Sequence, residues 1–131
     1  RVVVMTPGGY LIGDRSLLAD RGPMRFDAHV SDVAALRAVA ELPAVQRLNW
    51  FNGGHMRAER RGDTLVLSDL RMGLEPAYSF NFAVARWQDG RWQAMAPQRA
   101  SAGEGAALFS RGGIGEVWRR IWQRIWHQPA A

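Results

Sequence analysis

The dipeptide Asp89-Gly90 constrains this chain more than any other short stretch. Asp-Gly between two apolar runs is among the strongest hairpin signals, because the favoured two-residue turn needs positive φ at both central residues. Before it, Tyr78, Phe80, Phe82 and Val84 alternate with Ser79, Asn81, Ala83 and Ala85, the clearest strand pattern in the sequence. After it, residues 91–95 predict the returning strand, ended by Pro97. The turn sets Trp87 against Trp92, an aromatic cross-strand pair worth about 0.5–1 kcal/mol.

Gly62-Asp63 repeats the device between residues 55–61 and 64–72. Its register places Ala58 opposite Leu67 and Met56 opposite Asp69. Side chains alternate along a strand, so Met56, Ala58, Leu65 and Leu67 share a face that reads as core. The opposite face carries His55, Arg57, Glu59 and Arg61 beside Val66, Ser68 and Leu70, and reads as half-solvated. Asp69 and Arg71 then fall at the rim of the core side.

Two antiparallel hairpins leave the rest of the chain to extend or cover them. Residues 1–5 read as a strand, Thr6-Pro7-Gly8-Gly9 as a turn, and residues 10–18 as a returning strand with a candidate bulge at Gly13. Residues 19–30 read as loop with a short extended piece at 24–26. Ser31 is the expected N-cap of a helix with Asp32 in its first turn and an apolar stripe of Val33, Leu36, Val39 and Ala40. Pro43 ends that helix and opens another, whose stripe is Val45, Leu48 and Phe51 and whose stop is Asn52-Gly53-Gly54. The fold class expected is α+β: one domain over residues 1–131, with a mainly antiparallel sheet of about five or six strands and helices packed on one face. Residues 98–113, rich in Gly, Ser and Ala, read as a mobile loop, and residues 114–127 as an amphipathic C-terminal helix.

Composition narrows the function classes. The chain of 131 residues has no cysteine, which excludes disulfides, zinc–cysteine sites and thiol catalysis. Its net charge is +5, and every one of its 17 basic residues is arginine. They are scattered, with only Arg60-Arg61 and Arg119-Arg120 adjacent, so no nucleic-acid partner is expected. A general attraction to anionic surfaces, membranes included, is. The helix pair exposes Gln46, Arg47 and Asn49, which is thin for reading bases. No apolar run reaches the ~18 residues of a membrane span, and a chain entering a strand at Arg1 reads as an excised fragment.

Three constellations compete for a site. His29, His55 and His127 lie far apart in sequence, and no pair has ligand spacing, so no metal and no cofactor is expected in this fragment. Asp69 and Arg71, with His55, Tyr78 and Arg47, form a candidate polar cleft for an anionic or carbohydrate group, or a hydrolase site of its own. The alternative is a structural ion pair of Asp69 with Arg71 or Arg47. No Gly-x-Ser-x-Gly elbow is present, and Gly8, Gly9 and Gly13 precede no helix, so serine-hydrolase and nucleotide-loop readings fail. Finally, Trp118, Trp122 and Trp126 adjoin Val117, Ile121 and Ile125 in one wide stripe, with Arg119, Arg120 and Arg124 opposite. That stripe suits a membrane or partner surface, or a helix packed on the sheet.

The segments Arg1-Val2-Val3-Val4-Met5-Thr6-Pro7, Gln46-Arg47-Leu48-Asn49-Trp50-Phe51 and Leu65-Val66-Leu67-Ser68-Asp69-Leu70-Arg71-Met72-Gly73, in that order and spacing, resemble the C-terminal soluble region of the YdjM-like family. These are bacterial inner-membrane proteins described as predicted metal-dependent hydrolases. The resemblance implies an N-terminal membrane domain upstream that is this region's partner and holds any divalent metal. It implies an inner-membrane location; which side the domain faces is left open by the sequence, with the cytoplasmic face favoured. It transfers no catalytic residue to these positions. The function expected is an accessory binding domain of a membrane-bound hydrolase-like protein.

Overall fold

The computed structural model describes residues 1–101 together with Arg119, Trp122, Gln123, Ile125 and Trp126. The architecture is α+β and mainly antiparallel. Its strands are divided among three sheets rather than gathered into one. β1 (Val2–Thr6), β2 (Gly9–Gly13) and β3 (Asp27–Val30) form the first, in the order β1-β2-β3. Two helices follow, α1 (Val33–Ala38) and α2 (Pro43–Asn52). β4 (Met56–Arg61), β5 (Thr64–Asp69), β8 (Asn81–Gln88) and β9 (Arg91–Arg99) form the four-stranded main sheet in the order β4-β5-β8-β9. Between β5 and β8, β6 (Gly73–Leu74) and β7 (Ala77–Tyr78) make a two-stranded ribbon around the cis peptide Glu75-Pro76.

Both hairpins of the main sheet form where the dipeptides place them. Asp89 and Gly90 both have positive φ, and Trp87 faces Trp92 with ring centroids 5.2 Å apart, edge to face. Met56 pairs with Asp69 and Ala58 with Leu67. Met56, Ala58, Leu65 and Leu67 are buried with Val84, Ala85, Ala35, Val39 and Val45 in the main core, beneath the two helices. Pro43 sits in the first turn of α2, where its missing N–H costs nothing. Gly53 closes α2 in the left-handed conformation.

Several expectations need correction. Val66, Ser68 and Leu70 are not half-solvated but buried, so β5 is covered on both faces. A second apolar cluster explains part of this, since Leu70 packs with Tyr10, Ile12 and Tyr78. The second strand of the first hairpin ends at Gly13 instead of running to 18, and the extended piece lies at Asp27–Val30 instead of 24–26. Asp32, not Ser31, caps α1, accepting the Ala35 N–H at 2.9 Å. Ser31 is buried and serves the edge of β4 instead. Its Oγ accepts the Ala58 N–H at 2.9 Å, and the Asp32 N–H donates to the Ala58 carbonyl. Tyr78 belongs to β7, so the strand expected from Tyr78 onward begins at Asn81.

β9 continues through Pro97 to Arg99, so no loop begins at 98. The proline is tolerated because β9 is an edge strand and its pairing with β8 is irregular between Ala83 and Ala85. Beyond it, the Ala100 N–H donates to Asn81 O, and Arg61 Nη1 donates to Ser101 O at 2.7 Å. The remainder of the expected loop, 102–113, lies outside the described residues.

Candidate functional site

Between the main sheet and α2 lies a cleft of about 470 Å³. Its walls follow from the strand and helix periods. Leu67 and Phe82 are cross-strand partners on the helix-facing side of β5 and β8. Phe80 extends the same row just before β8. From α2 come Ala44, Arg47, Leu48 and the adjacent pair Trp50-Phe51. Pro97 closes the β9 side. The lining is chiefly apolar, and the volume is that of an ordinary small-ligand pocket.

Polar groups sit at the cleft's end and rim. Asp69 is the last residue of β5 on the helix-facing side and is only 5% exposed. Its carboxylate is fully engaged by Arg71. Oδ1 accepts the Arg71 backbone N–H at 2.9 Å and Nε–H at 3.1 Å, while Oδ2 accepts Nη2–H at 2.9 Å. The carboxylate in turn raises the pKa of the Arg71 guanidinium. That guanidinium also stacks over the Phe51 ring, 5.2 Å from its centroid. Ser68 Oγ donates to Asn81 Oδ1 at 2.6 Å, and Asn81 Nδ2 donates to the Tyr78 carbonyl. The hydroxyl therefore tethers β5 to β8 and has an amide, not a base, beside it.

The five residues of the expected polar cleft are thus divided. Arg47 and Asp69 line the cleft, and Arg71 joins them through Asp69 and Phe51. His55 lies outside the lining, with its Nδ1 3.3 Å from the Asn52 carbonyl oxygen. Tyr78 belongs to the second cluster.

That cluster is a polar network that sequence reading missed. The Tyr10 hydroxyl donates to Glu75 Oε2 at 2.6 Å, and Arg57 Nη1 donates to Glu75 Oε1 at 3.0 Å. Arg57 also pairs with Glu59 at 2.7 Å, and Glu59 with Arg61. Burial, and then the bond to Glu75, push Tyr10 up to about 12. Burial raises Tyr78 further still, with Tyr10 and Glu75 adding to it, and among the described residues no hydrogen bond of regular geometry reaches its hydroxyl. Burial alone would raise Glu59, but Arg61 and Arg57 outweigh it and hold the carboxyl below its ordinary range. The one available signal was local. Tyr10 follows Gly9 in a strand, and Glu75 precedes a proline, but nothing in the sequence joined two positions so far apart.

Of the tryptophan stripe, Trp122 and Trp126 are 63% and 51% exposed, with ring centroids 5.9 Å apart. Arg119 is helical and exposed, and the Ile125 carbonyl accepts a hydrogen bond from Ser16 Oγ. Trp118, Arg120 and Arg124 lie outside the described residues.

Among the described residues, no group of three or more His, Asp or Glu side chains is placed to hold a metal ion. No helix among them is long and apolar enough to cross a membrane. No protein-family model, curated protein or solved structure matches the chain.

Proposed function

We propose that this chain is a binding domain, serving a YdjM-like membrane-bound hydrolase-like protein without breaking bonds itself. The observation that carries the reading is the cleft between α2 and the main sheet, an apolar hollow lined by Arg47, with Arg71 and Arg99 stacked on two of its aromatic walls. Two of the three segments behind the family resemblance form its walls. Residues 46–51 supply Arg47, Leu48, Trp50 and Phe51, and residues 65–73 supply Leu67, Ser68 and Asp69. The groups that acid–base chemistry would use are committed elsewhere. Arg71 holds both oxygens of Asp69, and Ser68 is bound to Asn81. The resemblance further supports a bacterial inner-membrane setting, with the hydrolytic metal carried by a partner domain upstream.

An amphiphilic fluorescent dye, anilinonaphthalene sulfonate, tests the binding role. The native domain should take it up saturably, and Ala44→Phe, which fills the cleft from α2, should abolish uptake. Hydrolysis of ester or phosphoester substrates by the domain alone, lost in Asp69→Asn without unfolding, would overturn the reading. The membrane setting is tested separately, by finding the full-length gene product in the membrane fraction rather than the soluble one.

A further inference from the structure

We infer that the cleft takes an acyl chain of an anionic bilayer lipid, with the headgroup held by the arginines at its mouth. This rests on the binding role proposed above and specifies its ligand. Three guanidiniums converge on the lining. Arg47 is part of it and exposed. Arg71 stacks on Phe51, and Arg99 lies 5.7 Å from the centroid of Phe80. Both of those rings line the cleft. The single carboxylate of the lining, Asp69, is neutralised by Arg71. Arg99 makes only a 3.3 Å bond to the Ser79 carbonyl, and Arg47 has no acidic partner among the described residues. The mouth therefore holds two positive charges in excess beside an apolar hollow, the complement of an amphiphile with an anionic head and a hydrocarbon tail.

The lip favours a lipid still in its bilayer. Trp50 is 83% exposed and Phe51 57%, next to each other in the last turns of α2. Exposed aromatics cost solvation in water but suit the headgroup layer, where Trp and Arg together anchor interfacial helices. At an anionic surface each arginine contributes roughly a fivefold gain in partitioning. A ring inserted beside the cleft would bring its opening level with the acyl chains.

Vesicle co-sedimentation tests this, using phosphatidylcholine vesicles with and without phosphatidylglycerol. The native protein should bind the anionic vesicles and not the neutral ones. Arg47→Gln should weaken binding about fivefold, and Trp50→Ala should weaken it further. Both residues are exposed, so these variants keep the fold. Arg91→Gln, at the opposite end of β9 from the cleft, should change little. Equal losses for Arg91→Gln and Arg47→Gln, or no preference for anionic vesicles, would overturn the inference. If saturable dye uptake persists under that result, the binding role stands and only the lipid assignment falls. Loss of dye uptake would remove both.

Discussion

Glu75 lies where three elements meet, accepting Tyr10 from β2 and Arg57 from β4 beside Tyr78 of β7. A carboxylate so placed favours the neutral form of the neighbouring phenols. Tyrosine ordinarily ionises near about 10, and Tyr10 is held at about 12. Because the folded value is raised, the stability it contributes is fully present below the ordinary value. It is lost as pH climbs through the interval between the two. The chain has just two tyrosines, both in this network, so tyrosinate absorbance reads it directly. The native protein should show no phenol titrating near the ordinary value, and Tyr10→Phe should make unfolding less steep with alkaline pH. Both phenols titrating normally in the folded state would refute the network. Glu75→Gln, leaving Arg57 short of a charge partner, should cost about 1–3 kcal/mol in denaturant unfolding. Asp69→Asn should lower stability by a similar amount, since the carboxylate is buried and bound three times over by Arg71.

At the level of elements, what the sequence disclosed and what it hid divide along physical lines. Turns written in two residues were legible, because Asp89-Gly90 and Gly62-Asp63 carry their conformational demand locally. The facing of Met56, Ala58, Leu65 and Leu67 followed from the register those turns impose. Burial of Val66, Ser68 and Leu70 was not legible, because it depends on what lies across from β5 rather than on β5. Nor was β3, whose Asp27-Ala28-His29-Val30 has little pattern and is held by pairing to β2. That pairing rests on close approach at Gly9, where an added Cβ would lie 2.1 Å from the His29 carbonyl oxygen. Gly9→Ala should therefore destabilise by about 1–3 kcal/mol, the range for overpacking. Gly62→Ala meets no neighbouring atom within 4 Å, and its positive φ should cost only about 1 kcal/mol. Denaturation midpoints of the two variants compare them; equal losses would contradict the tight β2–β3 contact.

For the whole molecule, the parts of the candidate site were visible singly but not as an assembly. Arg47, Asp69 and Arg71 stood out as charges near apolar runs, and they do gather at one cleft. His55 and Tyr78 do not join them, since loop paths decide that and loops carry no period. Phe80 was read as part of a strand, Phe51 as part of a helix stripe and Pro97 as a stop, yet with Trp50 they shape a hollow between α2 and the sheet. The proposed binding role requires that a ligand enter that hollow. Amide NMR shifts on titration with dodecyl phosphate, a single-chain anionic amphiphile, measure it residue by residue. The predicted result is saturable change concentrated at residues 44–52, 67–69 and 80–82, with Tyr10 and Glu75 unmoved. Shifts scattered over distant arginines such as Arg91, or none in the cleft, would contradict it.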